Sequence, residues 1–430
     1  MQYTIKNARL LNDSVVDVVI NNGKISEIGS SLNVGEIVEA EKNLLIPGLV
    51  DLHTHLREPG REDSETVATG SMAAAKGGFT AISAMANTFP VADTAGVVEQ
   101  VFRLGQEAGY CDVFPIGAVT QGLKGEALAE LGAMANSKAR VRMFSDDGKC
   151  VSDPLLMRRA LEYVKTFNGI IAQHAQDPAL TVGSQMNEGV VSSKLGLTGW
   201  PAVAEEAIIA RDILLAEHVG SRLHICHLTT AGGVDLLRFA KARGINVTAE
   251  VTPHHLLLTD ELVANYDPVF KVNPPLRTAK DVMALRAGLA DGTIDIVGTD
   301  HAPHPTEDKD CEWQSAAFGM VGLETALSVV VKSMIETKLM SWSDLVDRMS
   351  IAPARIAGYS NHGRDIAVGA PANLTIIDTS LNWIVDRNRL ASKSKNTPFQ
   401  AMSLPASVLH TFFNGKLVLK NSELVRGGSN

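Results

Sequence analysis

Cysteine is scarce in this 430-residue sequence, and its apolar runs are short. The four cysteines lie far apart and form no CxxC pair, which argues against a disulfide framework or a structural zinc knot. No apolar stretch approaches the roughly 18 residues that a membrane-spanning helix requires. The amino-terminal segment has no basic flank before an apolar run, so no signal peptide is predicted. These absences predict a reduced, cytoplasmic compartment and no membrane partner.

Positive charge is also in deficit. The chain has 39 Lys and Arg against 48 Asp and Glu, which gives a formal net charge of −9. An acidic balance argues against nucleic acid or an anionic membrane surface as the main partner. If the substrate is an anion, a local positive group must bind it against the overall field of the protein.

Both ends of the chain have the alternating pattern of β-strands. The pattern runs through residues 2–46, where an Asn-Asn-Gly sequence marks a hairpin. It returns over residues 366–378 and 407–420, the second of which contains an Asn414-Gly415 turn. Two β-rich ends that flank a long middle predict one small β domain assembled from both termini.

The middle of the chain alternates between short apolar runs and helix-like stretches. Eight such runs precede segments rich in Ala, Leu and Glu: 45–56, 79–87, 111–119, 140–148, 169–176, 222–230, 245–255 and 294–304. This alternation over about 310 residues is typical of one (β/α)8 barrel of the TIM type, in the α/β class. A doubly wound parallel sheet would give the same pattern and is the alternative architecture.

Ionisable side chains recur at the carboxyl ends of these runs, which form the catalytic face of a (β/α)8 barrel. They are His53 and His55, Asp146 and Asp147, His174, His227, His254 and His255, and Asp300, His301 and His304. Histidines on helix surfaces would not recur at the carboxyl ends of the apolar runs. The pattern therefore indicates one shared site at the mouth of the barrel.

His53 and His55 are two residues apart on a strand, so both rings point to the same side. Imidazole is the commonest metal ligand at neutral pH, and converging His and Asp side chains form the composition of a zinc site. A lone histidine would more simply be a hydrogen-bonded core residue. A HxH pair joined by His and Asp on later strands indicates metal binding instead.

Strand parity favours Asp300 over His301 and Asp147 over Asp146. The choice between Asp146 and Asp147 stays open because strand ends often bulge. His227 shares a face with Leu223 and Ile225 and is preferred over His224 because it lies closer to the strand end. The predicted ligands are then His53, His55, Asp147, His174, His227 and Asp300. Six nitrogen and oxygen ligands are too many for one four-coordinate zinc, so we expect two metals that share a carboxylate. Such a pair can bind a hydroxide at neutral pH, which implies metal-assisted hydrolysis.

Three further side chains and one segment are candidates for substrate binding. Arg57 follows His55 closely and should reach the same mouth, where its planar fork suits a carboxylate; a surface salt bridge is the alternative. Asn87 and Asn273 could hydrogen-bond to an amide-containing ligand, although asparagine also favours turns. The segment after Asp310, CEWQSAAFGM, is a candidate wall of the pocket.

Four motifs together resemble the bacterial class I dihydroorotases of the amidohydrolase superfamily: PGLVDLHTHLREPG, EVTPHHLLLTDE, NPPLR and GTDHAPH. The resemblance extends over essentially the whole chain. HxH alone marks only the superfamily, whereas HLREPG combined with FSDDG, VNPPLR and DHAPH is much more specific. The resemblance implies a metallohydrolase barrel over residues 49–365 and a small β-sandwich over residues 1–48 and 366–430.

The resemblance also implies roles for individual residues. The implied ligands are His53, His55 and Asp300 for a first zinc, His174 and His227 for a second, and Asp147 as the bridge, together with a hydroxide. Asp300 is implied as the catalytic proton carrier. The residues implied in substrate binding are Arg57 and Asn87, which hold the substrate carboxylate, and Asn273 and His304, which line the pocket.

One feature separates this sequence from related cyclic amidases. Dihydropyrimidinases, hydantoinases, allantoinases and another dihydroorotase class use a carboxylated lysine as the bridge. The fourth run offers Asp146 and Asp147 at that place, and its nearest lysine, Lys149, lies two residues beyond. The resemblance is therefore to the class that has an Asp bridge.

The activity implied by the resemblance is the reversible, Zn²⁺-dependent hydrolysis of dihydroorotate to N-carbamoyl-aspartate in pyrimidine biosynthesis. One alternative is a cyclic amidase similar to hydantoinase or allantoinase. Another is a non-catalytic relative that assembles with aspartate carbamoyltransferase, although retention of every ligand position argues against it. A homodimer is implied by the same resemblance. The sequence does not choose among zinc, cobalt and manganese, because nitrogen and oxygen sites bind all three.

Overall fold

The computed structural model describes residues 2–425. Its strands are β1 (Gln2–Arg9), β2 (Val15–Asn21), β3 (Lys24–Gly29), β4 (Glu36–Glu39), β5 (Leu44–Pro47), β6 (Leu49–Thr54), β7 (Phe79–Ala84), β8 (Asp112–Pro115), β9 (Met143–Phe144), β10 (Ile170–Gln173), β11 (Met186–Asn187), β12 (Gly199–Trp200), β13 (Arg222–Ile225), β14 (Val247–Val251), β15 (Ile296–Val297), β16 (Leu374–Ile384), β17 (Ser403–Phe413), β18 (Lys416–Lys420) and β19 (Glu423–Leu424).

The helices are α1 (Val67–Lys76), α2 (Ala95–Ala108), α3 (Leu131–Asn136), α4 (Pro154–Lys165), α5 (Val190–Leu195), α6 (Ala202–Val219), α7 (Ala231–Ala242), α8 (Pro253–Leu257), α9 (Ala279–Asp291), α10 (Thr306–Lys309), α11 (Ala326–Val330), α12 (Trp342–Val346) and α13 (Ala352–Ala357). Short 3-10 helices cover Gln121–Leu123, Asp260–Asn265, Pro268–Phe270 and Arg387–Arg389. One π-helical turn, Val331–Ile335, follows α11, and another, Asp347–Ile351, follows α12. Among residues 2–425, no helix has the length and apolar character needed to cross a bilayer.

Parallel strands close into a barrel. Strands β6, β7 and β8 pair in chain order, and so do β9, β10, β13, β14 and β15. Parallel bridges between Gly117 and Phe144 and between Thr54 and His301 join the two groups at both seams. A doubly wound sheet would leave two open edges, so the barrel prediction is confirmed and the alternative is excluded.

Two apolar cores position the barrel strands. One lies between the strands and the surrounding helices and includes Ile82, Val98, Leu223 and Leu237. The other lies inside the barrel and includes Val50, Ala81, Met143, Ile170 and Ile296, against which α13 packs with Ala352, Ala354 and Ile356. Because α13 fills one end of the barrel with apolar side chains, polar residues collect at the other end, where the strands terminate.

The two ends of the chain form one nine-stranded sheet. Its order is β19-β18-β17-β16-β5-β1-β2-β3, with β4 paired to β1. The rings of Tyr3 on β1 and Phe412 on β17 lie 5.6 Å apart, although two other strands separate β1 from β17 within the sheet. The sheet therefore folds over on itself around a shared core, as a β-sandwich does. The predicted β-sandwich built from both termini is confirmed, and the turn at Asn414-Gly415 joins β17 to β18.

Two predicted strand runs differ from the structure. The run 45–56 divides at Gly48, where a side chain would meet Thr80 at 2.3 Å, so Leu44–Pro47 lies in the sandwich and Leu49–Thr54 in the barrel. The run 366–378 begins as a strand only at Leu374. Before it, Gly369 adopts a φ of 90° and the chain forms only an isolated bridge at Pro371.

The domain limits of 1–48 with 366–430, and of 49–365, remain a prediction. Residue 1 and residues 426–430 lie outside the described residues.

Candidate metal centre

All six predicted metal-binding residues lie at or just beyond the carboxyl ends of barrel strands: His53 and His55 at β6, Asp147 beyond β9, His174 beyond β10, His227 beyond β13 and Asp300 beyond β15. All six are at least 95% buried. A closed barrel brings these strand ends together, so residues as distant in sequence as His53 and Asp300 become neighbours at one mouth.

Asp147 lies at the centre of the cluster. Its Oδ2 lies 3.4 Å from His53 Nε2 and 3.3 Å from His55 Nε2. Its Oδ1 lies 3.2 Å from His174 Nδ1 and 3.1 Å from His227 Nε2. One carboxylate thus faces two histidine pairs, one with each oxygen. Two groups of candidate ligands therefore share Asp147, one with His53 and His55 and the other with His174 and His227. A third group, His53 with Cys226 and Glu250, does not include Asp147.

Asp300 adds a second carboxylate to one of these groups. Its Oδ1 lies 3.1 Å from His55 Nε2 and 3.5 Å from His53 Nε2. Within residues 2–425, its Oδ2 forms no hydrogen bond, so that oxygen is available to a bound molecule. Asp300 therefore lies beside the histidine pair and keeps one oxygen directed elsewhere.

The backbone is strained at three of the site positions. Arg57, His227 and Asp300 adopt φ values of 62°, 30° and 47°, in the left-handed region that non-glycine residues rarely occupy. Such conformations cost about 1–3 kcal/mol each and persist only where the surrounding structure fixes them. They cluster at functional sites, and here they occur at the ends of three barrel segments that meet at one mouth.

The backbone turn at His227 changes how the sequence pattern should be interpreted. Leu223 and Ile225 pack in the core between strands and helices, whereas His224 Nδ1 bonds Thr248 inside the sheet. Simple alternation would turn His227 outward with Leu223 and Ile225. Its left-handed conformation returns the ring to Asp147 instead. His227 was preferred from the sequence for its closeness to the strand end, whereas in the structure its left-handed backbone is what turns the ring to the cluster.

The cluster keeps its carboxylates ionised. Burial by itself raises the pKa of Asp147, but the charge of His53 and hydrogen bonds from His174 and His227 bring that pKa well below its ordinary value. Burial also raises the pKa of Asp300, and the nearby His53 and His55 lower it overall. The site therefore holds two ionised carboxylates in a buried space, and a bound cation could replace the positive charge that the histidines carry beside them.

The donor set fits divalent metals. The Nε2 atom of His53 is buried and has no hydrogen-bond partner within residues 2–425, although the carboxylates of Asp147 and Asp300 lie 3.4 and 3.5 Å from it. His174 Nδ1 and His227 Nε2 lie only 2.8 Å apart and face the same carboxylate oxygen. Neutral imidazoles and carboxylates without thiolate match zinc and similar borderline cations. One cation in each group would satisfy these atoms.

Glu250 on β14 is a site residue that the sequence analysis missed. Its Oε1 accepts a hydrogen bond from His53 Nδ1, and the same oxygen accepts from the backbone N of His227 at 3.2 Å. Its Oε2 lies 3.2 Å from His224 Nε2. Carboxylates that hold the second ring nitrogen of a ligating histidine fix its orientation and tautomer. A signal was present, because Glu250 is the one charged residue in the buried run VTAEV.

Two competing candidates lie outside the cluster. Asp146 accepts hydrogen bonds from the backbone N of Val119 at 2.8 Å and of Thr120 at 2.9 Å, so it fixes a loop rather than facing the histidines. His301 lies 3.3 Å from Glu65 through Nε2 and accepts from Gly322 N at 3.1 Å through Nδ1. The structure thus brings Asp147 and Asp300 to the centre and leaves their neighbours in supporting contacts.

The predicted substrate-binding residues surround the cluster. Arg57 Nε donates to Pro303 O at 3.1 Å, and its Nη2 lies 3.3 Å from His304 Nε2. Asn87 Oδ1 accepts from His55 Nδ1 at 2.8 Å, so only its amide NH₂ is free for a ligand. Asn273 Nδ2 donates to Gln176 at 3.0 Å and lies 3.4 Å from His174 Nε2.

His304 is neutral and contacts the predicted pocket wall. Burial and the charge of Arg57 lower its pKa to about 3, so its Nε2–H can donate to Phe318 O at 2.8 Å. A Cβ on Gly319 would lie 2.8 Å from the same ring. The segment predicted to wall the pocket therefore lies against a residue that also contacts Arg57.

Comparison with known proteins adds the family context. A family model described as "Dihydro-orotase-like" matches residues 42–232. The chain is 65% identical over 422 residues to a dihydroorotase of Streptomyces coelicolor, covering 98% of this chain and 99% of that protein. It is 52% identical over 427 residues to a dihydroorotase of Mycobacterium leprae, with coverage of 98% and 99%.

Solved structures share the fold. The chain is similar to an L-hydantoinase (dihydropyrimidinase) from Arthrobacter aurescens, with a TM-score of 0.88, 26% identity, and coverage of 98% of this chain and 97% of that chain. A dihydropyrimidinase from Brevibacillus agri gives a TM-score of 0.83 at 22% identity, with coverage of 99% and 96%, a likeness in fold alone. The sequence relatives are thus far more similar to the chain than these structural neighbours are.

Proposed function

The chain belongs to the dihydroorotase family of the amidohydrolase superfamily, and from that premise we propose how its buried cluster opens and closes the dihydroorotate ring. The chain is a cyclic amide hydrolase that interconverts dihydroorotate and N-carbamoyl-aspartate in pyrimidine biosynthesis. The observation that carries the proposed site is Asp147, whose two oxygens each face a histidine pair.

The two groups of ligand atoms would hold two divalent cations, most simply Zn²⁺. His53, His55 and Asp300 would hold one, His174 and His227 the other, and Asp147 would bridge them. Bound divalent cations of this kind lower the pKa of water toward neutrality and polarise a carbonyl oxygen. Glu250 would support the first site, because it orients His53 from behind.

Arg57 would bind the substrate through its carboxylate. Its guanidinium is positively charged, and its Nε contact with the Pro303 carbonyl fixes the planar group at the mouth of the barrel. The free amide NH₂ of Asn87 and the side chain of Asn273 are placed to bond the remaining polar atoms of the ring. An anionic substrate thus binds a protein of net charge −9 by local pairing rather than long-range attraction.

Asp300 would carry the proton of the reaction. In the hydrolytic direction, water adds its hydroxyl oxygen to the ring amide carbon and releases one proton. Asp300 Oδ2, which forms no hydrogen bond within residues 2–425, accepts that proton and delivers it to the ring nitrogen as the carbon–nitrogen bond breaks. Because the pKa of Asp300 is lowered, the carboxylate is ready to accept a proton at neutral pH.

Substrate comparison tests this proposal directly. Purified protein supplemented with zinc should open dihydroorotate and leave dihydrouracil, hydantoin and allantoin largely unreacted. Turnover of a neutral ring in preference to dihydroorotate would preserve the hydrolytic chemistry but contradict the carboxylate-binding role of Arg57. Bound metal without any turnover would instead favour a non-catalytic role.

Substitution of Asp300 tests the proton carrier. Asp300→Asn should lower kcat by about 10²–10⁴-fold, since general acid–base catalysis contributes that much. Metal content, measured by mass spectrometry of the purified variant, should remain largely that of the parent protein. Full activity in the Asp300→Asn variant would show that Asp300 is not the proton carrier.

The expected compartment, oligomeric state and protein partner follow from the same family. We propose a cytoplasmic homodimer, with association with aspartate carbamoyltransferase as a further partner hypothesis. Light scattering of the purified chain measures the first, and co-elution with added aspartate carbamoyltransferase measures the second. A monomer in solution would contradict the proposed dimer.

A further inference from the structure

Two lysines are buried beside the proposed substrate pocket without a counter-charge. Lys271 is 1% exposed and Lys309 is 8% exposed. No carboxylate in the described part of the chain forms an ion pair with either side chain. Burying an ammonium group is costly unless its hydrogen bonds are satisfied. Their contacts therefore require an explanation beyond general packing.

The Lys309 ammonium is satisfied by three backbone carbonyls. Its Nζ donates to Ala317 O at 2.8 Å, to Lys271 O at 3.1 Å and to Gly319 O at 3.1 Å. An ammonium group has three donors and no acceptor, so these three carbonyls use all of its hydrogen-bonding capacity. A neutral or shorter side chain would leave buried carbonyls unpaired.

Lys271 fixes the other part of the same segment. Its Nζ donates to Trp313 O at 2.7 Å and to Gln314 O at 3.1 Å. It also lies 4.5 Å from the centre of the Phe318 ring, within cation–π distance. The two lysines thus hold residues 311–320, here called the pocket wall, at its beginning and its end.

The pocket wall contains no helix or strand. Its conformation therefore depends on contacts with its neighbours rather than on its own ladder of hydrogen bonds. Gly319 N donates to Lys271 O at 3.0 Å, and Phe318 O accepts from His304. Through these bonds the wall joins the segment before Asn273 to His304, and both residues belong to the proposed substrate pocket.

We propose that Lys309 is a positioning residue for substrate binding. Its ammonium donates hydrogen bonds to the carbonyls of Lys271, Ala317 and Gly319. These bonds hold the pocket wall against His304, and His304 lies beside Arg57. Lys309 touches neither the ligand cluster nor the reacting atoms. Its effect should therefore fall on the binding of the carboxylate-bearing substrate rather than on the chemical step. This inference rests on the proposed function.

Steady-state kinetics of Lys309→Met tests the inference. We expect KM for dihydroorotate to rise about tenfold with kcat within about threefold of the parent value, because a charge-assisted contact of this kind is worth about that factor. A purely structural defect would lower the active fraction, which reduces kcat and leaves KM unchanged. Lys280→Met, an exposed lysine on α9, is the matched control and should change neither constant.

Lys309→Arg provides a second variant that retains the charge. A planar guanidinium cannot direct three donors as an ammonium does, so its KM should lie between those of the parent protein and Lys309→Met. If Lys309→Met does not fold, the test rests on Lys309→Arg alone. A KM of Lys309→Arg equal to that of the parent protein would then overturn the inference.

The outcomes also separate this inference from the proposed function. If the zinc-supplemented parent protein does not open dihydroorotate, the proposed function itself fails. If the parent is active and the Lys309 variants retain its KM, or if Lys280→Met raises KM equally, only the positioning role fails.

Discussion

At the scale of single residues, Arg57 offers the clearest test of substrate choice. Burial lowers the pKa of its guanidinium to about 10, so the group is still charged at neutral pH. Losing one charged partner of a carboxylate costs about 2–5 kcal/mol, so Arg57→Met should lower kcat/KM for dihydroorotate by about 30-fold or more. Arg103→Met, on the exposed face of α2, is the matched control. An equal loss for dihydroorotate and dihydrouracil would contradict the carboxylate role.

Substitution of Glu250 should change metal affinity rather than substrate choice. Burial raises its pKa, but the charge of His53 and hydrogen bonds from His224 and His53 lower it overall, so Glu250 is ionised. Glu250→Gln keeps the size and loses the charge that orients His53. Metal affinity should therefore fall by about 10–100-fold, the usual effect of losing such a partner. Competition with a chelator measures it, and an unchanged affinity would show that His53 needs no such support.

The residues of the buried cluster were predictable from sequence, but their geometry was predictable only in part, and their role as metal ligands stays a prediction. Asp147 follows the alternation of β9, in which Met143 faces the barrel interior. His227 does not follow alternation, because its left-handed backbone reverses the direction of its ring. Glu250 was missed because its partners, His53 and His224, lie on other strands and only the closed barrel brings the three together.

At the scale of elements, the presence of a strand was easier to predict than the sheet to which the strand belongs. The run 45–56 is continuous in apolar character, yet Gly48 divides it between two sheets. The reason is the close approach of Thr80, which belongs to a distant part of the sequence and leaves no room for a side chain at residue 48. Local pattern carries no information about such a tertiary contact.

His410 on β17 predicts how the sandwich responds to acid. Burial and the nearby Lys420 lower its pKa to about 4, whereas in an unfolded chain it is about 6.5. The unfolded chain therefore binds more protons between these values, and stability is lost as the pH falls from 6.5 toward 4. At pH 5 this loss is on the order of 1–2 kcal/mol.

Comparison of His410→Gln with the parent protein isolates that contribution. Urea denaturation at pH 7.5 and at pH 5 should show a smaller loss of stability in the variant, by on the order of 1–2 kcal/mol. Other buried histidines, such as His254, titrate equally in both proteins and cancel in the difference. Identical pH dependence in the two proteins would mean that His410 titrates in the folded sandwich as it does in the unfolded chain.

At the scale of the whole molecule, the order of the chain explains the position of the site. The first strands form part of the sandwich, the barrel follows, and the last strands return to complete the sandwich through the pairing of β5 with β16. This arrangement anchors the start of β6, which carries His53 and leads directly to His55. The strand that brings these two histidines to the mouth of the barrel is thus fixed at its other end.

Metal binding should then couple the site to the stability of the whole barrel. The six proposed ligand residues are buried and come together from five strand ends around Asp147, and a cation that binds only the folded chain stabilises it by mass action. At a free metal concentration 100 times Kd the gain is about 2.7 kcal/mol, which should raise Tm by several degrees relative to protein treated with a chelator.

The Asp147→Asn variant distinguishes this coupling from non-specific binding. It removes the one carboxylate that both histidine pairs share, so its Tm should change little when zinc is added after chelation. Calorimetric scans of the parent protein and the variant, each with and without zinc, give the four Tm values required. A metal-dependent rise of equal size in the variant would show that the stabilising cation binds elsewhere, and that Asp147 does not join the two groups of ligands.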